Sequence, residues 1–211
     1  MELYSYYRSS ASYRVRIALN LKQVNYTLKP VHLLENGGEQ FFESYRQLNP
    51  QSLVPTLITS EGPIIQSLAI IDYLEQTFPE PPLFPIAPYS RSQVLAMAQL
   101  IASDIHPLNN LRVLQYLKNE FQVNEEEKLV WYQHWLIEGF NGLELYLERT
   151  QCSGKCCFGD TPTVADLCLI PQMYNAKRFN CPVDDYVLLN QINEYCLTLP
   201  AFKDAAPEAV S

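Results

Sequence analysis

Positive charge is in short supply in this chain. Fifteen Lys and Arg stand against 23 Asp and Glu, a formal net charge of -8. A nucleic-acid or anionic-membrane surface needs clustered positive potential, so both partners are excluded. An acidic protein that holds an anion must instead gather its few arginines locally. No apolar run approaches the roughly twenty residues of a membrane span. The N-terminus lacks the basic-then-apolar layout of a secretory leader, which leaves the cytoplasm as the expected compartment. Internal repeats and low-complexity tracts are missing too. Cysteine is absent from the first two thirds: Cys152, Cys156, Cys157, Cys168, Cys181 and Cys196 all follow residue 151. Their irregular spacing fits no zinc pattern, so no metal is expected and reduced thiols are the plain reading, with Cys168 and Cys196 in apolar, core-like runs.

What is present begins with residues 3–21, LYSYYRSSASYRVRIALNL. The aromatic-rich residues 3–7 read as a buried strand, and residues 8–11 as a polar turn. From Ser12 onward Val15, Ala18 and Leu19 make an i, i+3, i+4 stripe with Ile17 and Leu21 beside it, while Arg14, Arg16 and Asn20 point elsewhere. The same residues also alternate, but hydroxyls just before a periodic run are helix caps, which favours a helix. A strand–turn–helix with serines at the helix start can hold an anion, because the first amides are unpaired and the macrodipole is positive there. Ser9 and Ser10 are equally compatible with simple capping.

Residues 26–33 alternate as a second strand, and residues 39–48 read as a short helix after Gly37-Gly38. The string NPQSLVPTL (49–57) is a loop entering a strand, with Pro55 at the strand mouth where a missing donor is tolerated. Residues 58–65 suggest a hairpin, followed by Gln66, Ser67 and a helix over 68–77 with Ser67 as its cap. The order β-α-β-α-β-β-α predicts a compact layered unit over 1–78. Five prolines in residues 78–90 exclude helix and mark a stiff linker over 79–90. Only helical periods follow over 91–211: one or two helices across 90–119 with an interruption near Pro107, another from Asn124 to residue 150, a loop over 152–160, a helix opened by the capping box Thr163-Val164-Ala165-Asp166, and a last helix over 185–198.

The string SSASYRVRIAL (9–19) resembles the zeta-class glutathione transferase signature, SSCxxRVRIAL, with Ala11 in place of the usual cysteine. IHPLNNLRV (105–113) and NAKRF (175–179) resemble counterparts of the same class, in the same order and at the same distances. The resemblance runs over nearly the whole chain. It implies a thioredoxin-like α/β domain followed by an all-α domain, a homodimer, a cis bond before Pro55, and glutathione held by Ser9, Ser10, Gln40, Val54, Pro55, Gln66, Ser67, His106 and Asn110. It further implies a cis–trans isomerase of maleyl keto acids in aromatic or tyrosine catabolism, acting on maleylacetoacetate or maleylpyruvate. Ser9, Ser10, Arg8 and Arg178 would carry catalysis. Arg8, His106, Asn110, Arg112 and Arg178 would contact a doubly negative small-molecule substrate. Singly, each residue has a duller explanation: Arg178 complements a helix C-terminus and His106 sits on a surface. Residues 9–12 contain no cysteine, so a thioltransferase using its own thiol is disfavoured and the thiol must be brought in. A broader glutathione transferase or α-halo-acid dehalogenase, and a non-catalytic binding protein on the same fold, are the alternatives.

Overall fold

The computed structural model describes all 211 residues, which fall into two compact units, Met1–Leu83 with Thr198–Ser211, and Phe84–Leu197. The first unit is built on a four-stranded mixed sheet in the order β2-β1-β3-β4. Its strands are β1 (Glu2–Ser5), β2 (Thr27–Pro30), β3 (Thr56–Ile58) and β4 (Pro63–Ile65). β1 runs parallel to β2 and antiparallel to β3, so Leu3 lies opposite both Leu28 and Leu57. β3 and β4 form the expected hairpin. The crossover between β1 and β2 is α1 (Ser10–Leu21); α2 (Glu43–Arg46) precedes β3 and α3 (Ser67–Thr77) follows β4. Leu3, Leu57, Val15, Ile17, Leu19, Ile70, Ile71 and Leu74 are fully buried in this layer. At about 1.5–3 kcal/mol for each large apolar side chain, that burial is the main drive for packing α1 and α3 on the sheet.

Several boundaries differ from the sequence reading, each for a local reason. α1 starts at Ser10, because the Ser9 hydroxyl accepts from the Ser12 amide at 3.2 Å and makes Ser9 the cap. The helix expected over 39–48 is a single 3₁₀ turn, Glu39–Phe41, and then α2, since Phe42 adopts an extended conformation between them. Ser67 is the first helical residue rather than the cap; the cap position belongs to Gln66, whose φ of 71° no continuing helix can accept. Arg14 and Arg16, expected off the apolar stripe, are both buried.

The second unit is helical: α4 (Pro88–Gln99), a π-helical turn (Leu100–Ile105), α5 (His106–Leu108), α6 (Leu111–Glu120), α7 (Glu125–Thr150), α8 (Val164–Arg178) and α9 (Val187–Cys196). α4 begins inside the proline-rich stretch, with Pro88 at the first helical position, where the absent amide hydrogen costs nothing. The break expected near Pro107 lies at Asn109 and Asn110, because the Asn110 side chain caps α6. α7 opens on a capping box between Asn124 and Glu127 and buries Tyr132, Leu136, Phe140, Leu143 and Leu147 along one face. α8 is the central helix, buried continuously from Val164 to Met173. α9 is not last: α10 (Pro200–Lys203) and α11 (Pro207–Val210) follow. The tail that holds them, read from sequence as part of the helical domain, belongs to the first unit. No helix is long and apolar enough to cross a membrane.

Candidate active site

In the first unit the predicted residues gather at three backbone features. The first is the start of α1. Ser9 Oγ meets the Ser12 amide at 3.2 Å, and the Ser9 amide donates to Tyr6 O at 3.0 Å, closing the turn that lifts Arg8 into solvent. Ser10 is buried and Ser9 half-buried. The Arg8 guanidinium lies over the Tyr7 ring, 4.9 Å from its centroid. Ala11 follows, so no thiol of this chain stands at the helix start. Unpaired amides, a positive macrodipole and a hydroxyl together suit a negatively charged sulfur.

The second feature is the segment before β3. The Val54–Pro55 bond is cis, as the resemblance implied. Two side chains that sequence reasoning missed shape this segment. Tyr45 Oη donates to Leu53 O at 2.5 Å and shares a hydrogen bond with Thr56 Oγ1 at 3.0 Å. Asn49 Nδ2 reaches the same two acceptors at 2.7 and 3.2 Å, while its Oδ1 accepts from the Gln51 amide at 3.0 Å. The Asn-Pro pair signals that turn in the sequence; nothing local marks Tyr45. Val54 packs with Tyr6, Val31 and Tyr45 in a small core beneath the loop.

The third feature is the start of α3. Gln66 gives it no side-chain cap, so its first amides are left for another acceptor. Gln66 Nε2 instead donates to Gln51 Oε1 at 2.7 Å, tying the second and third features together. The Ser67 hydroxyl accepts from Arg14 Nη1 at 3.3 Å. A ligand with one thiol and a distant carboxylate fits such a donor set: the hydroxyl-flanked start of α1 for the sulfur, the uncapped start of α3 for the carboxylate. Gln40, the remaining predicted contact, is buried with Nε2 on Leu33 O at 3.4 Å and Oε1 without a protein partner.

Arg14 and Arg16 are structural supports of these features that the helical pattern concealed. Arg16 Nε donates to Ala205 O at 2.8 Å, Nη1 to Ser5 Oγ at 3.0 Å and Nη2 to Tyr7 O at 3.0 Å. One guanidinium thus fastens β1, the turn carrying Arg8 and Ser9, and the C-terminal tail. Burial lowers its pKa from 12.5 to about 10, so it remains charged at neutral pH.

In the second unit, Asn110 Oδ1 accepts from the Arg112 amide at 3.1 Å, which orients the start of α6 and leaves the Arg112 side chain exposed. His106, half-buried, opens α5. The neighbouring Asn109 Nδ2 donates to Tyr132 O at 3.1 Å, and the Tyr132 ring stacks on Phe179 at 4.0 Å. Arg178 lies over that same Phe179, 5.0 Å from its centroid. Tyr132 therefore links the His106–Asn110 junction to the end of α8. Burial raises the Tyr132 phenol well above its usual range, with the Arg178 charge pulling the other way. An open cavity of ≈510 Å³ beside the π-helical turn is lined by Leu100, Asp104, Ile105, Trp135 and Glu138 among others. Its two carboxylates oppose an anionic occupant.

Residues 3–82 match the family model described as "Glutathione S-transferase, N-terminal domain". A probable maleylacetoacetate isomerase of Vibrio cholerae is 51% identical over 206 residues, covering 98% of this chain and 95% of that protein. The holo structure of a maleylpyruvate isomerase, described as a bacterial glutathione S-transferase in the zeta class, superposes with a TM-score of 0.96 at 42% identity, covering 99% of this chain and 98% of that one. A maleylacetoacetate isomerase of Methylobacterium extorquens AM1, solved with bound malonate and GSH, gives 0.95 at 36% identity, with 99% and 97% covered. Serines at the start of α1, a cis proline before β3, a thioredoxin-like sheet and a helical second unit agree with these likenesses, and the chain belongs to the zeta class of the glutathione transferases, the family of the maleylacetoacetate and maleylpyruvate isomerases.

Proposed function

We propose that this protein catalyses the glutathione-dependent cis–trans isomerisation of a maleyl keto acid to its fumaryl isomer. The observation that carries the reading is the start of α1: a capping hydroxyl, a free positive helix end and no thiol of the chain's own. Relatives of up to 51% identity named as such isomerases support it.

Glutathione, when bound, supplies a thiol whose reversible addition to the double bond releases rotation about it. The chain's residues do the rest. The Ser9 hydroxyl, with Ser10 behind it, donates to the sulfur and favours its ionised form. A charge-assisted hydrogen bond contributes about 1.5–3 kcal/mol and the helix end roughly 0.3–1 kcal/mol, enough to draw a thiol from about 8.5 toward neutrality. The start of α3, with Gln66 and Ser67, takes a carboxylate of the tripeptide. Val54 and Pro55 offer backbone to its middle, and Gln40, His106 and Asn110 complete its contacts. Arg8 and Arg178 hold the carboxylates of the doubly negative substrate and stabilise negative charge as it develops, with Arg112, His106 and Asn110 assisting. The working form we infer is a cytoplasmic homodimer; six cysteines with no disulfide among them suit a reducing compartment.

The test is product analysis with maleylpyruvate and maleylacetoacetate, with and without glutathione. The fumaryl isomer should form only when glutathione is added, and all the glutathione should be recovered. Consumption of glutathione in step with product, or equal turnover without it, contradicts the proposal.

A further inference from the structure

The second unit contains a cluster that the isomerisation does not use. Cys156 lies in the irregular loop before α8, Asp166 in the first turn of α8, and Cys196 at the end of α9. All three are 0% exposed. Their ligand atoms, two sulfurs and a carboxylate oxygen, lie within 4.8 Å of one another. Three separate pieces of chain thus place the same chemistry at one point in a dry interior.

We propose that Cys156, Cys196 and Asp166 form a binding site for a thiophilic divalent cation of the zinc group. A tetrahedral centre with sulfur at about 2.3 Å and oxygen at about 2.0–2.2 Å sets its donors roughly 3.6–3.8 Å apart. The donors must therefore close by about 1 Å at most, a shift within side-chain reach. The carboxylate is already aimed and held: Asp166 Oδ1 accepts from the Cys157 amide at 2.7 Å, and Oδ2 from the Thr163 amide at 2.7 Å and the Thr163 hydroxyl at 3.0 Å. Outer hydrogen bonds of this kind fix a ligand's direction. The loop is pinned in turn, with the Cys156 amide on Gly159 O at 2.9 Å and its carbonyl taking the Gly154 amide at 3.1 Å.

Charge balance favours the exchange. Two thiols release two protons as two sulfur–metal bonds form, so a divalent cation enters with no change in the net charge of the core. Access runs through residues 152–160, a loop whose Gly154 and Lys155 are exposed. Bound metal would clamp that loop and the end of α9 onto α8.

The experiment is titration of the reduced full-length chain with Co2+, without glutathione, followed by sulfur–cobalt charge-transfer and visible d–d absorption. Saturation at one ion per chain, with two protons released, is expected. Cys196→Ala should lose the bands, while Cys152→Ala, at a half-exposed thiol, should keep them. X-ray absorption on the wild-type Zn2+ form gives a readout independent of any variant's folding, with at least two sulfur neighbours expected. No bands in the wild-type chain, bands that survive in Cys196→Ala, only light-atom neighbours, or a mass two hydrogens lower from a Cys156–Cys196 disulfide would each overturn the proposal.

Discussion

Arg14 and Ser67 join the two helix starts of the first unit: Arg14 Nη1 donates to Ser67 Oγ at 3.3 Å, from the middle of α1 to the first residue of α3. Ser67 is the residue proposed to receive a carboxylate of glutathione, and Arg14 holds its hydroxyl while adding positive charge beneath it. Arg14→Met is expected to weaken glutathione binding by about 10-fold or more, the equivalent of one charge-assisted hydrogen bond. The maximal rate at saturating glutathione should change little, because the sulfur is served by α1. Calorimetric titration, set beside KM and kcat for glutathione, checks the split.

Gly139 and Gly142 predict opposite outcomes for the same change. A Cβ on Gly139 would stand 2.2 Å from Ile105 Cγ1 and 2.3 Å from its Cδ1, whereas one on Gly142 meets nothing closer than Leu100 Cδ1 at 3.9 Å. Gly139→Ala therefore forces the π-helical turn away from α7 and should cost about 1–3 kcal/mol, lowering Tm by roughly 2–12 °C. Gly142→Ala gains helix propensity without a clash and should raise stability by up to about 1 kcal/mol. Thermal unfolding of the two variants decides, and Gly139→Ala should also reduce activity, since Ile105 immediately precedes His106.

Acid lability has one identifiable contributor in the link between α6 and α7. Hydrogen bonds from Lys118, at 2.8 Å, and from Lys128 hold the Glu125 carboxyl at about 2, below its ordinary 4.5. A carboxylate depressed on folding stabilises the folded state above its unfolded pKa, and that contribution fades as pH falls from 4.5 to about 2. Glu125→Gln should therefore unfold slightly below wild type at neutral pH, by a few degrees at most given its exposure. The two melting curves should merge near pH 2. A gap of constant size across that range would contradict the assignment.

Much of this arrangement was legible in advance because it depends on short-range chemistry. The capping box Thr163–Asp166 and the helix start at Asn124 both rest on residues within four positions of one another, and both appear where the pattern put them; at Asn124 the structure adds a second capping box, with Glu127. The order of strands and helices along the first unit came from local pattern, and the cis proline through the likeness of short strings to a known family. What escaped was settled at a distance. Arg14 and Arg16 look like solvent-facing positions on an amphipathic helix, yet Arg16 is buried because Ala205, 189 residues away, offers its carbonyl. No window of sequence contains both partners. Tyr45 was invisible for the same reason: its value lies in the carbonyl of Leu53, which only the folded loop presents. Pro88 misled for a different one, since a proline that ends helices also begins them.

The central claim is that the Ser9 hydroxyl ionises the sulfur of bound glutathione. The most direct measurement is the ultraviolet thiolate absorption of glutathione bound to wild type and to Ser9→Ala across neutral pH, together with kcat on a maleyl keto acid. Loss of one charge-assisted hydrogen bond should move the midpoint of ionisation upward and lower kcat at neutral pH by about 10- to 100-fold, with glutathione still bound. An unchanged midpoint and full activity in Ser9→Ala would contradict the account.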